Sequence, residues 1–222
     1  MWTGTTDRDV SEIIEVMMVA PNRWTDTGMA QTDTDEPSPR ALLVDDEKEV
    51  ADAYALRLRG LCEVETVYSG ESALEVVDSQ PLDIVLLDRH MPGMSGDEVL
   101  EALSDRSFDG RVIMVTAIDP GFDVLDMPFD DYLCKPVDRE DVREAVRQQC
   151  RVLGYELLGE YFSLESKRSV IEAELSEDER ADNERYRQVS AQTEQLRDRI
   201  GRLVEEVDEL FETFEEIERE SR

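Results

Sequence analysis

The sequence predicts an α/β protein with a doubly wound, five-stranded parallel sheet, followed by an all-α module. Three observations predict it. Short apolar runs alternate with segments of helical periodicity between about residues 40 and 150, the pattern of a parallel sheet covered by helices on both faces. Polar residues directly follow several of those runs. After residue 150, long helical patterns continue without any strand pattern.

The individual elements follow from the spacing of the apolar residues. The apolar runs suit strands that are buried on both faces, whereas residues 63–67 alternate between polar and apolar side chains, which also predicts a strand. The predicted strands are Ala41–Val44, Glu63–Val67, Leu82–Leu87, Arg111–Val115 and Asp131–Cys134. The predicted helices between and after them are Glu47–Arg59, Ser72–Ser79, Asp97–Leu103 and Asp138–Cys150.

Chemically compatible residues follow four of the five strands. Asp45 and Asp46 come after the first strand, Asp88 after the third, Thr116 after the fourth and Lys135 after the fifth. Ligands of open parallel sheets bind at the carboxyl ends of the strands, so we expect these side chains to form one site. Alone, the acid pair could equally cap the following helix; the combination is what predicts a site.

This set of residues suits phosphoryl transfer. Carboxylates crowded at neighbouring strand ends repel each other, and Mg²⁺, which prefers hard oxygen ligands and keeps several waters, relieves that repulsion. One carboxylate can then attack a phosphoryl donor and form an acyl phosphate. Lys135 can neutralise a second phosphoryl oxygen, and the Thr116 hydroxyl can donate to a third.

Four segments now carry a family resemblance: ALLVDDE, IVLLDRHMPGMSGDE, MVTA and DYLCKP. In this order they resemble the receiver domain of bacterial and archaeal response regulators, over about residues 40 to 150. The resemblance implies a flavodoxin-like sheet of order 2-1-3-4-5. It also implies a sensor histidine kinase as the phosphoryl donor.

The resemblance implies a role for each matching residue. Asp88 resembles the phosphoacceptor, and Asp45, Asp46 and Asp88 resemble the Mg²⁺ ligands, together with the backbone carbonyl of His90. Thr116 and Lys135 resemble the residues that contact the phosphoryl group, Tyr132 the aromatic switch residue, and Lys135–Pro136 a cis peptide bond. The interval between Thr116 and Asp131 is short for the family and contains two prolines, so we expect a short or irregular helix there.

The C-terminal segment has a heptad seam. Its apolar positions alternate in steps of three and four, with Thr193 as the one polar member. The seam consists of Tyr186, Val189, Thr193, Leu196, Ile200, Leu203, Val207, Leu210, Phe214 and Ile217. It predicts a parallel two-stranded coiled coil, an intrachain hairpin with the helical stripe at Leu157–Leu175, or both at once. The preceding segment GEYFSLESKRSVIEAELS resembles the HalX domain of haloarchaea.

These patterns divide the chain into a disordered N-terminal tail (1–38), a receiver domain (39–152) and a helical HalX-like domain (153–222). The tail lacks periodicity, and Met18 or Met29 is an alternative start. The formal net charge is −31, which argues against direct contact with nucleic acid or an anionic membrane. The acid-rich, lysine-poor composition is typical of cytoplasmic proteins of salt-loving archaea.

Three other functions stay open at the sequence level. A receiver that no longer switches could serve as a scaffold, and a DNA-binding transcription regulator would need a basic surface that the sequence does not offer. An aspartyl-phosphate phosphohydrolase needs an acid two residues after the nucleophile, where this chain has His90. We therefore expect no enzyme beyond a phosphoacceptor that assists its own phosphorylation and dephosphorylation. Expected partners are the kinase, a second copy and an unknown downstream protein.

Overall fold

A computed structural model describes residues 38–205, 207, 210 and 211. Its centre is one parallel sheet of five strands in the order β2-β1-β3-β4-β5, which confirms the predicted topology. The strands are β1 (Arg40–Val44), β2 (Glu63–Val67), β3 (Ile84–Leu87), β4 (Arg111–Thr116) and β5 (Asp131–Cys134).

Helices connect the strands and continue beyond the sheet. They are α1 (Lys48–Leu58), α2 (Gly70–Ser79), α3 (Gly96–Asp105), α4 (Arg139–Glu174), α5 (Glu177–Ala181) and α6 (Glu184–Leu203). Polar caps set several of their starts: Ser95 and Glu98 form a capping box at α3, and the Asp138 carboxylate caps α4. Between β4 and β5 the chain makes only a five-residue 3₁₀ turn, Phe122–Asp126, as the short interval predicted.

The central strands hold the strand ends in place. Every residue of β3 is buried, and β1 is buried from Ala41 onward, because helices cover both faces. Val85 and Leu87 of β3 pack in one apolar cluster with Leu100 and Leu103 of α3. Each such side chain contributes about 1.5–3 kcal/mol by burial, so the residues that follow these strands are carried by a rigid frame.

The helix predicted over Asp138–Cys150 is much longer than expected. α4 continues without interruption to Glu174, and the domain boundary predicted between residues 152 and 153 falls inside it. The helix end predicted at Cys150 was wrong because it was placed where the family resemblance ends, whereas the domain boundary itself stays a prediction. The sequence itself contains no proline in this segment, and the helical period simply continues.

The C-terminal helices form a hairpin within the chain. Leu196, Ile200 and Leu203 of α6 are buried, and α6 packs against the second half of α4. An edge-to-face contact between the rings of Tyr161 of α4 and Phe211, with centroids 4.9 Å apart, continues this packing beyond α6. Of the two predicted arrangements, the described residues show the intrachain hairpin.

The spacing of the heptad seam predicted one continuous helix. The structure instead interrupts the helix within the seam. α6 ends at Leu203, and Val204 adopts an extended conformation (φ −125°, ψ 119°), whereas Val207 is again helical. Val207 is buried, whereas Val189 and Leu210 are half-buried. The nearest residue of low helix propensity is Gly201, which still lies inside α6, so the local pattern did not predict an interruption at Val204. Phe214 and Ile217 lie outside the described residues.

A cluster of charged residues attaches α6 to the base of the sheet. The Asp83 carboxylate, only 2% exposed, accepts from the backbone N–H of Arg40 (3.0 Å) and from Arg199 Nε (3.0 Å). Arg202 lies 3.8 Å from the same carboxylate, and Arg199 Nη1 donates to Asp109 at 2.6 Å. These contacts attach the hairpin to the sheet at the amino ends of the strands. The predicted site lies at the opposite, carboxyl ends.

The N-terminal tail predicted over residues 1–38, with the two alternative start residues, lies outside the described part of the chain except for residue 38. Within the described residues, no helix is both long enough and apolar enough to cross a bilayer.

Candidate functional site

Three carboxylates meet at the carboxyl ends of β1 and β3. β1 pairs with β3, which brings Asp45 and Asp46 beside Asp88. One carboxylate oxygen of each residue lies within 4.8 Å of the others. Asp45 and Asp88 are buried, and Asp46 is half-buried. Burial leaves little water to screen three negative charges, so the cluster needs cations to be stable.

The buried Asp88 carboxylate accepts one hydrogen bond at each of its two oxygens. Its Oδ1 accepts from Lys135 Nζ at 3.0 Å, and its Oδ2 accepts from the backbone N–H of His90 at 3.2 Å. Burial raises the pKa of Asp88 above its ordinary value, and the hydrogen bond from Lys135 offsets this only in part. A carboxylate that is harder to ionise is a stronger nucleophile once ionised.

Lys135 contacts two of the three acids. Its ammonium lies 2.7 Å from Asp45 Oδ2 and 3.0 Å from Asp88 Oδ1. Burial alone would lower the pKa of Lys135, but the hydrogen bonds to Asp45 and Asp88 outweigh it and raise the pKa above its ordinary value. Lys135 is therefore a permanent cation at this site. The Lys135–Pro136 peptide bond is cis.

Gly96 allows α3 to start directly against the backbone of Asp88. A β-carbon at Gly96 would lie 2.1 Å from the carbonyl oxygen of Asp88 and 2.8 Å from the Cα of Arg89. The backbone N–H of Gly96 donates to the Arg89 carbonyl at 3.0 Å. Only glycine fits this approach, which fixes the loop after β3 against the first turn of α3.

Of the remaining predicted residues, Thr116 and Tyr132 bond to the backbone of Ile118, and only the backbone N–H of His90 bonds to the acidic cluster. Thr116 is buried at the end of β4, and its hydroxyl accepts from the backbone N–H of Ile118 at 3.4 Å. The Tyr132 hydroxyl donates to the carbonyl of Ile118 at 2.9 Å. His90 is exposed and contributes its backbone to the site. Within the described residues, neither Thr116 nor Tyr132 makes a hydrogen bond to Asp88.

Sequence reasoning missed Arg89, which follows Asp88 directly. Its guanidinium forms ion pairs with Asp97 of α3 and Asp123 of the 3₁₀ turn. The one sign in the sequence was that Arg89 is the only basic residue of the segment IVLLDRHMPGMSGDE apart from His90, and the other charged residues of that segment are acids. It also missed Asp83, whose partners Arg199 and Arg202 lie far away in the sequence.

The strand order and the acidic site together are those of one class of protein, the receiver-type signalling domains. Comparison with protein families agrees. Residues 41–147 match the response regulator receiver domain, and residues 151–218 match the HalX domain. The chain therefore contains a response regulator receiver domain followed by a HalX domain.

Similar proteins support this assignment. A Haloferax volcanii protein named for a role in transcriptional regulation is 44% identical over 134 residues, which cover 60% of this chain and 23% of that protein. The sensory transduction protein RegX3 of Mycobacterium tuberculosis is 41% identical over 115 residues, half of each chain. The crystal structure of a CheY-like receiver domain protein from Methanospirillum hungatei has a TM-score of 0.50 at 26% identity, covering 54% of this chain and 98% of that one.

The chain spans about half of RegX3 and less than a quarter of the Haloferax protein. The comparisons therefore establish a receiver of two-component regulatory systems, a family of signalling proteins that are generally not enzymes.

Proposed function

We propose that this chain is a phosphorylation-controlled response regulator. Asp88 takes a phosphoryl group from a sensor histidine kinase, and the C-terminal hairpin passes the signal to a downstream protein. The observation that carries the proposal is the geometry at the strand ends: three carboxylates within 4.8 Å of one another, two of them bridged by the Lys135 ammonium. A purely structural role would not need this concentration of buried charge.

The transfer step uses Asp88 as the nucleophile. A carboxylate oxygen of Asp88 forms a bond to phosphorus while the bond from phosphorus to the donor nitrogen of a phosphohistidine breaks. The electron pair of that bond stays with the imidazole. Lys135, which already lies 3.0 Å from Asp88, offsets the negative charge that arrives with the phosphoryl group. The same residues assist the later attack of water that removes the group.

The acidic cluster fits a magnesium ion. Mg²⁺ binds through one or two carboxylates and retains several waters, and the three acids supply hard oxygen donors from two neighbouring strands. Asp45, Asp46, Asp88 and the backbone carbonyl of His90 would hold the ion. When bound, it would neutralise charge on the phosphoryl oxygens.

Thr116 and Tyr132 form the switch in this proposal. Phosphorylation adds about 1.5–2 negative charges at Asp88. The Thr116 hydroxyl then exchanges its contact with the Ile118 backbone for a phosphoryl oxygen, and Tyr132 turns into the space that opens. Both side chains contact Ile118, so the segment after β4 changes shape with them. A partner that prefers one shape reads the phosphorylation state.

The proposal extends to partners and location. The chain works in the cytoplasm of a salt-loving archaeon, since acids outnumber Lys and Arg by 55 to 24. Dimerisation through the C-terminal helices or the receiver face is a further part of the proposal. A role in transcription, which the name of the Haloferax relative suggests, is a second candidate. It would act through a partner protein, because so acidic a surface repels DNA.

The proposal is tested by intact mass and sedimentation in high salt with Mg²⁺, before and after acetyl phosphate or a cognate kinase is added. We expect a gain of one phosphoryl group and a change in sedimentation. Asp88→Asn should gain none, whereas the control Asp105→Asn, an exposed acid at the end of α3, should behave as the wild type. Phosphorylation without any change in sedimentation would place output in an unseen partner. The absence of phosphorylation with both donors would favour the inert scaffold.

A further inference from the structure

Arg89 connects three segments around the phosphoacceptor. It follows Asp88 in the loop after β3, and its guanidinium reaches the first turn of α3 and the 3₁₀ turn. Nε and Nη2 lie 3.0 and 3.2 Å from the carboxylate oxygens of Asp97, and Nη2 lies 2.5 Å from Asp123 Oδ2. The Arg89 side chain is only 14% exposed, although both carboxylates are about half exposed.

The 3₁₀ turn has little else to hold it. None of its five residues is buried, and its two largest apolar side chains, Phe122 and Leu125, are 92% and 77% exposed. The backbone hydrogen bonds of Val124 and Met127 stay within the segment itself. A segment with few buried apolar contacts opens at low free-energy cost, so a single well-formed ion pair has a large influence on its position.

Arg89 also lies next to the proposed switch residue. Burial raises the pKa of Tyr132, and the nearby Arg89 guanidinium opposes that shift. The Tyr132 hydroxyl in turn donates to the carbonyl of Ile118, just before the turn. One guanidinium therefore adjoins the turn, the first turn of α3 and the aromatic ring whose movement the switch requires.

We propose that Arg89 is a positioning residue of the switch, whose ion pair with Asp123 holds the 3₁₀ turn against α3 in the unphosphorylated state. This inference rests on the proposed function. Phosphorylation adds negative charge one residue away from Arg89 and weakens its preference for Asp123. The turn and Tyr132 are then released together. Because the ion pair stabilises only the unphosphorylated shape, breaking it favours the phosphorylated one.

The test compares two substitutions on the same turn. Asp123→Asn removes the ion pair with little change of shape. Asp126→Asn removes an equal charge, and among the described residues Asp126 makes no ion pair with Arg89. Equilibrium binding of the phosphoryl analogue beryllofluoride, with Mg²⁺, is measured by calorimetry at the lowest salt concentration that keeps the full chain folded. We expect Asp123→Asn to bind the analogue about two- to five-fold more tightly than the wild type, and Asp126→Asn to bind like the wild type.

A double-mutant cycle and hydrogen exchange separate the ion pair from general electrostatics. In an Arg89→Gln background, Asp123→Asn should leave analogue affinity unchanged, since the partner is already gone. Without analogue, the amides of residues 121–127 should exchange faster in Asp123→Asn than in Asp126→Asn.

The outcomes are distinguishable. Equal analogue affinity in wild type and Asp123→Asn, or unchanged exchange of the turn, would overturn the role of Arg89 and leave the proposed function intact. If wild-type protein bound no analogue, the proposed function would fail and the coupling with it.

Discussion

The hairpin predicts opposite effects for alanine at two glycines of the same helix. Gly154 and Gly159 both lie in α4. A β-carbon at Gly154 would lie 2.2 Å from Val204 Cγ2 and 3.4 Å from Leu203 Cβ, where α6 ends. At Gly159 no atom lies within 4 Å of that position. The pair therefore separates helix propensity from packing between α4 and the end of α6.

The magnitudes follow from two terms. Alanine stabilises a helix interior by about 1 kcal/mol relative to glycine, at both positions. Overpacking typically costs about 1–3 kcal/mol, and it applies only at Gly154, where the neighbouring side chain is a stiff β-branched valine. Gly159→Ala should therefore raise the free energy of unfolding by up to about 1 kcal/mol. Gly154→Ala should be less stable than Gly159→Ala by about 1–3 kcal/mol.

The assay is denaturant unfolding of the full chain, followed by far-ultraviolet circular dichroism, for the wild type and both variants. The difference between the two variants cancels the propensity term and reports the packing alone. If both alanines stabilised the protein equally, α6 would not end against α4. The hairpin would then be wrong, and an extended coiled coil would be the better description.

Three further predictions concern the anchor, the cysteines and the metal. Arg199→Ala leaves the buried Asp83 carboxylate with only Arg202 and a backbone N–H as partners, so we expect the free energy of unfolding to fall by about 2–4 kcal/mol. The control Arg185→Ala, on the exposed side of α6, should change the free energy of unfolding by under about 0.5 kcal/mol, and equal effects of the two substitutions would refute the anchor. Burial raises the pKa of Cys62 and of Cys150 to about 12, so at pH 8 a thiol reagent should modify exposed Cys134 rapidly and the other two only on unfolding; fast reaction of all three would contradict their burial. Mg²⁺ at about ten times its Kd for the wild type should raise the free energy of unfolding by about 1.4 kcal/mol in the wild type and in the control Asp105→Asn. The rise should be clearly smaller in Asp46→Asn, and an equal rise in all three proteins would mean that the ion binds elsewhere.

Much of the receiver fold could be predicted from the sequence because its signals are local. β2 and β5 have the predicted bounds, Glu63–Val67 and Asp131–Cys134, since short segments with a strand pattern between turns leave few alternatives. The acidic cluster could be predicted for a related reason. The carboxyl ends of parallel strands share one edge, so residues far apart in sequence must meet there.

What the sequence did not reveal depends on contacts between distant residues. Arg89 and Asp123 are 34 residues apart, and Arg199 and Asp83 are 116 apart. No periodicity connects such pairs. Val204, where α6 is interrupted, likewise packs against Gly154 of another helix, a contact that no local pattern reveals.

The most direct test of the account is to locate the phosphoryl group among the three carboxylates. Asp45, Asp46 and Asp88 lie so close together that a mass gain alone does not distinguish them. After reaction with acetyl phosphate and Mg²⁺, borohydride reduces an aspartyl phosphate to homoserine, and tandem mass spectrometry of the peptides identifies the residue. The account predicts homoserine at position 88 only. Homoserine at position 45 or 46, or at several exposed acids alike, would contradict it.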